Sequence, residues 1–286
     1  MEIVIEELDY IYHPQTPFET QALQQVSMRI PAGTFASILG PTGSGKSTLM
    51  QIIGGLLVPT SGRVQIGDQV IENGKKTSFV RGEIGLIFQY PEKQLFAESI
   101  GKDIAFGPTN QGLVNKKVEE RVKEAMAFVG IPAEWYDRSP FTLSGGQMRK
   151  VAIAGVLAMK PKILILDEPT AGLDPQSQRE LMQLIAKIHH QQQMTILLVT
   201  HQMDIAAKYA EHIFLMSQGT CIAEGSPDEI FSQPELLFQI DLDLPEVTKI
   251  ILELNQKLTP PIPTNLFSIE QLVFALNNRR KKGVLL

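Results

Sequence analysis

The run ILGPTGSGKSTLM at 38–50 combines glycines, a lysine and hydroxyl side chains in a spacing suited to holding phosphate. Gly40, Gly45, Lys46 and Ser47 fit the pattern G-x-x-x-x-G-K-[ST], placed after an apolar run and before a stretch of helical spacing. Glycines let backbone N–H groups turn inward around phosphate oxygens, and the start of the following helix favours the same negative charge. In this loop Gly40, Thr42, Gly43, Ser44, Gly45, Lys46, Ser47 and Thr48 are the expected nucleotide-binding residues. Lys46 is placed to reach the β- and γ-phosphates, and the Ser47 hydroxyl to hold Mg²⁺.

A second candidate lies at 162–169, where the apolar run KILILDEP ends in two acids. The C-terminal edge of a parallel sheet is where such folds present ligands. Asp167 there is expected to hold Mg²⁺ directly or through water. Glu168 is expected to orient or deprotonate an attacking water. Gln89 and His201 also follow apolar runs, Ile84–Phe88 and Thr195–Thr200, which puts both at the same edge. The sequence LSGGQ at 143–147 precedes a helical stretch, Met148–Met159. Ser144 reads as its cap, and Gly145 and Gly146 bare backbone donors, so this is a second anion-seeking helix start.

The elements that must position these residues follow from periodicity. Buried strands are expected at Thr34–Leu39, Ile84–Phe88, Lys162–Leu166 and Thr195–Thr200, as short Ile/Leu/Val runs. Between them, helical stripes run over Lys116–Val129 and from Ser177 to about His190. Alternation of this kind predicts an α/β domain with a mostly parallel sheet. The first thirty residues and Gly62–Ile71 show shorter alternating patterns, which predict an antiparallel β portion. The expected division is a nucleotide-binding domain over 1–240, with a helical part at about 90–160, and a helical extension over 241–286. Two helices are expected in the extension, Glu246–Leu258 and Ser268–Asn278, before the basic cluster Arg279–Lys282.

Composition narrows the classes. With 43% apolar and 20% charged residues the chain has the make-up of a folded soluble protein. A net charge of −5 argues against a nucleic-acid partner, and one cysteine, Cys221, excludes an internal disulfide. The acidic start MEIVIEELDY does not read as a secretion signal, and no apolar run is long enough to span a bilayer. A cytosolic placement is expected.

Taken in order, GPTGSGKST, Gln89, LSGGQ, LILDEP, AGLD at 171–174 and His201 resemble the ATP-binding cassette (ABC) ATPases over residues 3–235. That resemblance implies a P-loop cassette working as a head-to-tail pair. ATP held by Lys46, Ser47 and Asp167 of one cassette would be closed over by the Ser144, Gly145, Gly146 and Gln147 turn of the other. It implies Glu168 as catalytic base, His201 as γ-phosphate clamp, Gln89 as Mg²⁺ and water sensor, and Asp174 as a contact across the pair. It also implies an aromatic stacked on adenine, for which Tyr12 is preferred to Tyr10 because it lies nearer the loop before Ala22–Leu23.

Within that superfamily, the short stretch between Gln89 and Ser144 carries no sustained heptads, unlike DNA-remodelling members, and one cassette per chain is unlike ribosome-acting members. FQYPEKQLFAESIGKDIAFGPTN at 88–110 resembles energy-coupling factor (ECF) transporters and the related cobalt and nickel uptake ATPases. HPQTPFETQAL at 13–23 and LSGGQMRKVAIAGVLAM at 143–159 resemble the second ATPase of vitamin-type ECF systems. The implied partners are a homologous second ATPase, a transmembrane scaffold and a substrate-binding membrane subunit, at the cytoplasmic face of the membrane. Glu92, Leu95 and Phe96 are expected to meet the scaffold. The alternatives are another cobalt/nickel-type importer and a soluble ABC ATPase outside transport.

Overall fold

The computed structural model describes residues 1–73 and 82–281. Lys282, the last of the basic cluster, lies outside the described residues. The strands are β1 (Ile3–Tyr12), β2 (Thr20–Ile30), β3 (Phe35–Leu39), β4 (Ser61–Ile66), β5 (Gln69–Glu72), β6 (Ile84–Ile87), β7 (Ile163–Asp167), β8 (Thr195–Val199), β9 (His212–Ser217) and β10 (Thr220–Gly225). The helices are α1 (Lys46–Ile53), α2 (Ile100–Asn110), α3 (Asn115–Val129), α4 (Gly145–Ala158), α5 (Pro175–Gln192), α6 (Met203–Tyr209), α7 (Pro227–Phe231), α8 (Pro234–Gln239), α9 (Glu246–Asn255) and α10 (Ile269–Lys281).

Six strands form the central sheet in the order β10-β9-β3-β8-β7-β6, parallel from β9 to β6, with β10 antiparallel on the edge. Successive side chains of a strand face opposite sides, so an apolar run buried on both faces serves two cores. Leu164 and Leu166 of β7 face a core shared with α2 to α6, whereas Ile163 and Ile165 face a core shared with α1 and the second sheet. Phe35 and Leu39 divide from Ala36 and Ile38 of β3 in the same way. The fold is therefore the expected α/β cassette with a mostly parallel core sheet.

The second sheet is antiparallel, in the order β2-β1-β4-β5. Its first two strands are long, of 10 and 11 residues, where the sequence pattern reads as shorter pieces. Bulges explain the difference. The register between β1 and β2 shifts between Ile5 and Leu8, where Glu7 adopts positive φ, and again between Leu8 and Tyr10, where Gln25 does so on β2. A bulge resets which residues face inward, so alternation breaks while pairing continues. Helices α2, α3 and α4 extend the first core away from the sheet through Ile104, Val122, Met126 and Ile153. The chain then closes on a small separate cluster of Val247, Ile251, Leu258, Ile262 and Leu272 from α9, α10 and the segment between them. Among the described residues no helix is long and apolar enough to cross a membrane.

Candidate active site

The phosphate loop leaves the end of β3 and enters α1 through Gly45, which has φ 97°. Gly40 is required by close approach, since a Cβ there would stand 2.2 Å from the Met216 carbonyl oxygen. A Cβ on Gly45 would stand 2.5 Å from the Ala22 carbonyl oxygen. The loop is thus wedged between two strands and preset in shape. Lys46 Nζ donates to the Gly40 and Pro41 carbonyls, both at 2.8 Å, and to Ser44 Oγ at 3.3 Å. Burial pushes its pKa down, against the pull of Glu168 and Asp167. A desolvated ammonium held only by neutral oxygens is primed for anionic ones.

The other wall of the cleft comes from the ends of β7 and β8. Ser47 Oγ donates to Asp167 Oδ2 at 3.4 Å. Burial and the neighbouring Glu168 raise the Asp167 pKa above the usual aspartate value. Glu168 adopts φ 45°, which turns the chain sharply after β7 and aims its carboxylate across the strand ends. Its Oε1 lies 2.7 Å from His201 Nδ1, and its Oε2 accepts from Thr200 Oγ1 at 3.3 Å. Gln89, at the end of the β6 run, lines the same cleft, as do Thr42, Gly43, Gly45, Lys46, Ser47, Thr48 and Tyr12. The cleft measures about 620 Å³. Tyr12 contacts Thr48 through its hydroxyl at 3.2 Å, while Tyr10 packs into the adjacent core with its ring edge-on to Tyr12. Tyr12 is therefore the ring that faces the cleft.

Sequence reasoning passed over Thr200, a buried hydroxyl that fixes Glu168. Its signal was present, as the polar residue closing an apolar strand run immediately before His201.

Ser144, Gly145, Gly146 and Gln147 stand elsewhere. Ser144 caps α4 with a reciprocal pair of bonds, Gln147 N to Ser144 Oγ at 3.4 Å and Ser144 N to Gln147 Oε1 at 3.0 Å. Ser144, Gly145 and Gln147 are exposed, and Ser144, Gly146 and Gln147 line a different hollow beside Leu173, Ser177 and Glu180. This turn does not reach the cleft of its own chain. Asp174 is likewise exposed, and its carboxylate caps α5 by accepting from the N–H groups of Gln176 and Ser177 at 3.0 and 3.1 Å. Hydrogen bonding from Ser177 holds its pKa low.

Two residues expected at the scaffold contact are engaged internally. Glu92 makes a bidentate ion pair with Arg149, Nε to Oε2 at 2.9 Å and Nη2 to Oε1 at 3.0 Å. Burial opposes the Glu92 carboxylate, yet the bonds and charge of Arg149 outweigh it and hold the pKa below the usual value. Leu95 is buried in the main core. The reason is geometric: Pro91–Gln94 forms a single 3₁₀ turn, which folds Glu92 and Leu95 back onto α4. Phe96 alone of the three is exposed, at 60%, with its ring edge-on to Phe106 at 4.9 Å.

A phosphate loop, a strand-end acid pair and an outlying serine-glycine turn make a recognisable set. The family model described as ABC transporter matches residues 23–171. The energy-coupling factor transporter ATP-binding protein EcfA2 of Bacillus thuringiensis (strain Al Hakam) is 47% identical over 99% of this chain and 98% of its own length. The chain belongs to the ABC transporter family, among its energy-coupling factor ATP-binding proteins. The EcfA2 protein of Clostridium acetobutylicum is 50% identical over 94% of this chain and 95% of its own. Among solved structures, cbiO1 of Clostridium perfringens, described as part of the ABC transporter complex cbiONQ, superposes with a TM-score of 0.73 at 38% identity, over 87% of this chain and 98% of that one. The cassette MJ0796, in a dimeric post-hydrolysis state bound to ADP and Pi, gives 0.69 at 29% identity, over 79% and 98%. As an ABC ATPase the chain binds and hydrolyses ATP.

Proposed function

We propose that this chain powers an importer of the energy-coupling factor type by closing head to tail on a second, homologous cassette around ATP. A transmembrane scaffold then carries the pair at the cytoplasmic face of the membrane, beside a membrane subunit that binds the vitamin or other micronutrient. The observation that carries this reading is the separation of two phosphate-seeking surfaces. Lys46 lies in one cleft, while the exposed Ser144 turn lines another hollow of the same chain. A nucleotide in the first is completed only by the turn of a neighbour.

In the cleft, Tyr12 stacks on the adenine ring, and the loop from Gly40 to Thr48 surrounds the phosphates. Lys46 exchanges its carbonyl partners for phosphate oxygens. Ser47, Asp167 and Gln89 are the residues that would hold Mg²⁺, and the donor set fits: a hydroxyl faces a carboxylate whose ionised form is disfavoured by burial and by Glu168. When bound, the ion supplies positive charge to the phosphate oxygens. Glu168 orients the attacking water and takes its proton on the carboxylate, steadied by Thr200. His201, with Nδ1 against Glu168, keeps Nε2 for the γ-phosphate. Once that phosphate departs, the charge bridging the two cassettes falls and the pair reopens.

Glu168→Gln and Lys46→Ala separate these roles. The first is expected to lower turnover at its own site by about 10²–10⁴-fold with ATP still bound. The second weakens ATP binding itself. Single-turnover hydrolysis and equilibrium nucleotide binding on the assembled pair read the two effects, and wild-type turnover at the Glu168→Gln site would refute the base assignment.

A further inference from the structure

Arg149 has a part in none of the steps above, yet it is the most heavily bonded buried cation of the described residues, at 3% exposure. Beyond its ion pair with Glu92, Nη1 donates to the Pro169 carbonyl at 2.8 Å and to the Ala171 carbonyl at 3.2 Å, and Nη2 to the Ala171 carbonyl at 3.3 Å. These partners belong to two different parts of the site. Glu92 sits in the 3₁₀ turn that follows Gln89. Pro169 and Ala171 belong to the turn that follows Glu168 and leads to Asp174, and a Cβ on Gly172 of that turn would stand 3.3 Å from the Tyr90 ring. Arg149 itself stands on α4, whose first turn carries Ser144. A planar five-donor fork suits this task, since it fixes angles as well as distances.

We propose that Arg149 is the positioning residue that couples the two composite ATP sites. It ties the strand ends that sense the γ-phosphate in this chain to the Ser144 turn that this chain lends to its neighbour. The inference rests on the head-to-tail reading. Gln89 and Glu168 report the state of one nucleotide, the Arg149 fork fixes α4 to both reporters, and α4 presents Ser144 to the other nucleotide.

The test uses Glu168→Gln in this chain, so that its own ATP is not consumed, with Arg149→Lys or Glu92→Gln added. Lysine keeps the charge but cannot span the carboxylate and both carbonyls. Two quantities are read: the affinity of the separate full-length chain for a fluorescent N-methylanthraniloyl ATP, and the release rate of that nucleotide from the assembled pair. The affinity of the separate chain is expected to stay unchanged and its melting temperature to fall, since a buried pair loses a partner, while release from the pair speeds by about tenfold through misplacement of the Ser144 turn. The double replacement Glu92→Leu with Arg149→Met, which keeps packing without the fork, is expected to release as fast as the single variants. Unchanged release in both single variants overturns the proposal. So does a loss of affinity in the separate chain in step with release, or slow release restored by the double replacement. Ser144→Arg serves as the reference. If it leaves release untouched, the head-to-tail reading fails and the inference falls with it; if it speeds release and the Arg149 variants do not, only the inference falls.

Discussion

The carboxylate of Asp167 sits where its ionised form is disfavoured. Burial, and then the charge of Glu168, raise its pKa above the ordinary aspartate value. For a raised group the stabilising contribution is complete below the ordinary value, near 3.8, and is lost as pH rises through the folded-state value. At neutral pH the ionised group therefore works against the fold. Asp167→Asn is expected to raise the melting temperature of the nucleotide-free chain by about 2–4 °C, while weakening binding of ATP with Mg²⁺. Thermal unfolding with and without nucleotide checks both signs, and a lowered melting temperature without nucleotide would contradict the account. Tyr12 poses a simpler case. Tyr12→Phe removes only the hydroxyl contact with Thr48 and should cost about 0.5–1.5 kcal/mol of binding at most. Tyr12→Ala removes the ring and should lose more, as calorimetric titration with ATP would show.

Elements place these residues through contacts of very different sequence range. The phosphate loop, the helix cap at Ser144 and the acid pair at 167–168 were legible because each is local: a strand end, a turn and a helix start within a few residues. Strand runs were legible for the same reason, since β7 and β8 are apolar on both faces and stop at polar residues. The bulges in β1 and β2 were not, because a positive φ at Glu7 or Gln25 has no marker in residue type. Nor was the fate of Glu92, which depends on an arginine 57 positions away. An acid beside apolar residues reads equally as a docking surface or as half of a buried pair until the partner is placed. That pair is also where the elements are most exposed to damage. Arg149→Ala leaves Glu92 and two carbonyls without their donor and is expected to cost about 3–5 kcal/mol of stability in urea unfolding. A change within about 0.5 kcal/mol would mean that the fork does not hold the three segments together.

At the scale of the whole molecule, the phosphate loop and the Ser144 turn lie on separate surfaces, and the proposed function makes activity depend on a second cassette that supplies what each lacks. The lone cysteine makes this measurable. Burial, with Glu224 nearby, pushes the Cys221 thiol up to about 11, so it is unreactive at neutral pH. In the variant Ser144→Cys, an ATP analogue with an electrophile on its γ-phosphate will tag position 144 only if the nucleotide approaches that turn. The direct measurement is the tagging rate at position 144 by mass spectrometry, in the assembled pair and in the chain diluted to monomer, with the cleft equally occupied in both. Fast tagging in the pair and none in the monomer is the predicted result. Equal tagging in the monomer, or none in the pair, would contradict a nucleotide shared between Lys46 of one cassette and the serine turn of another.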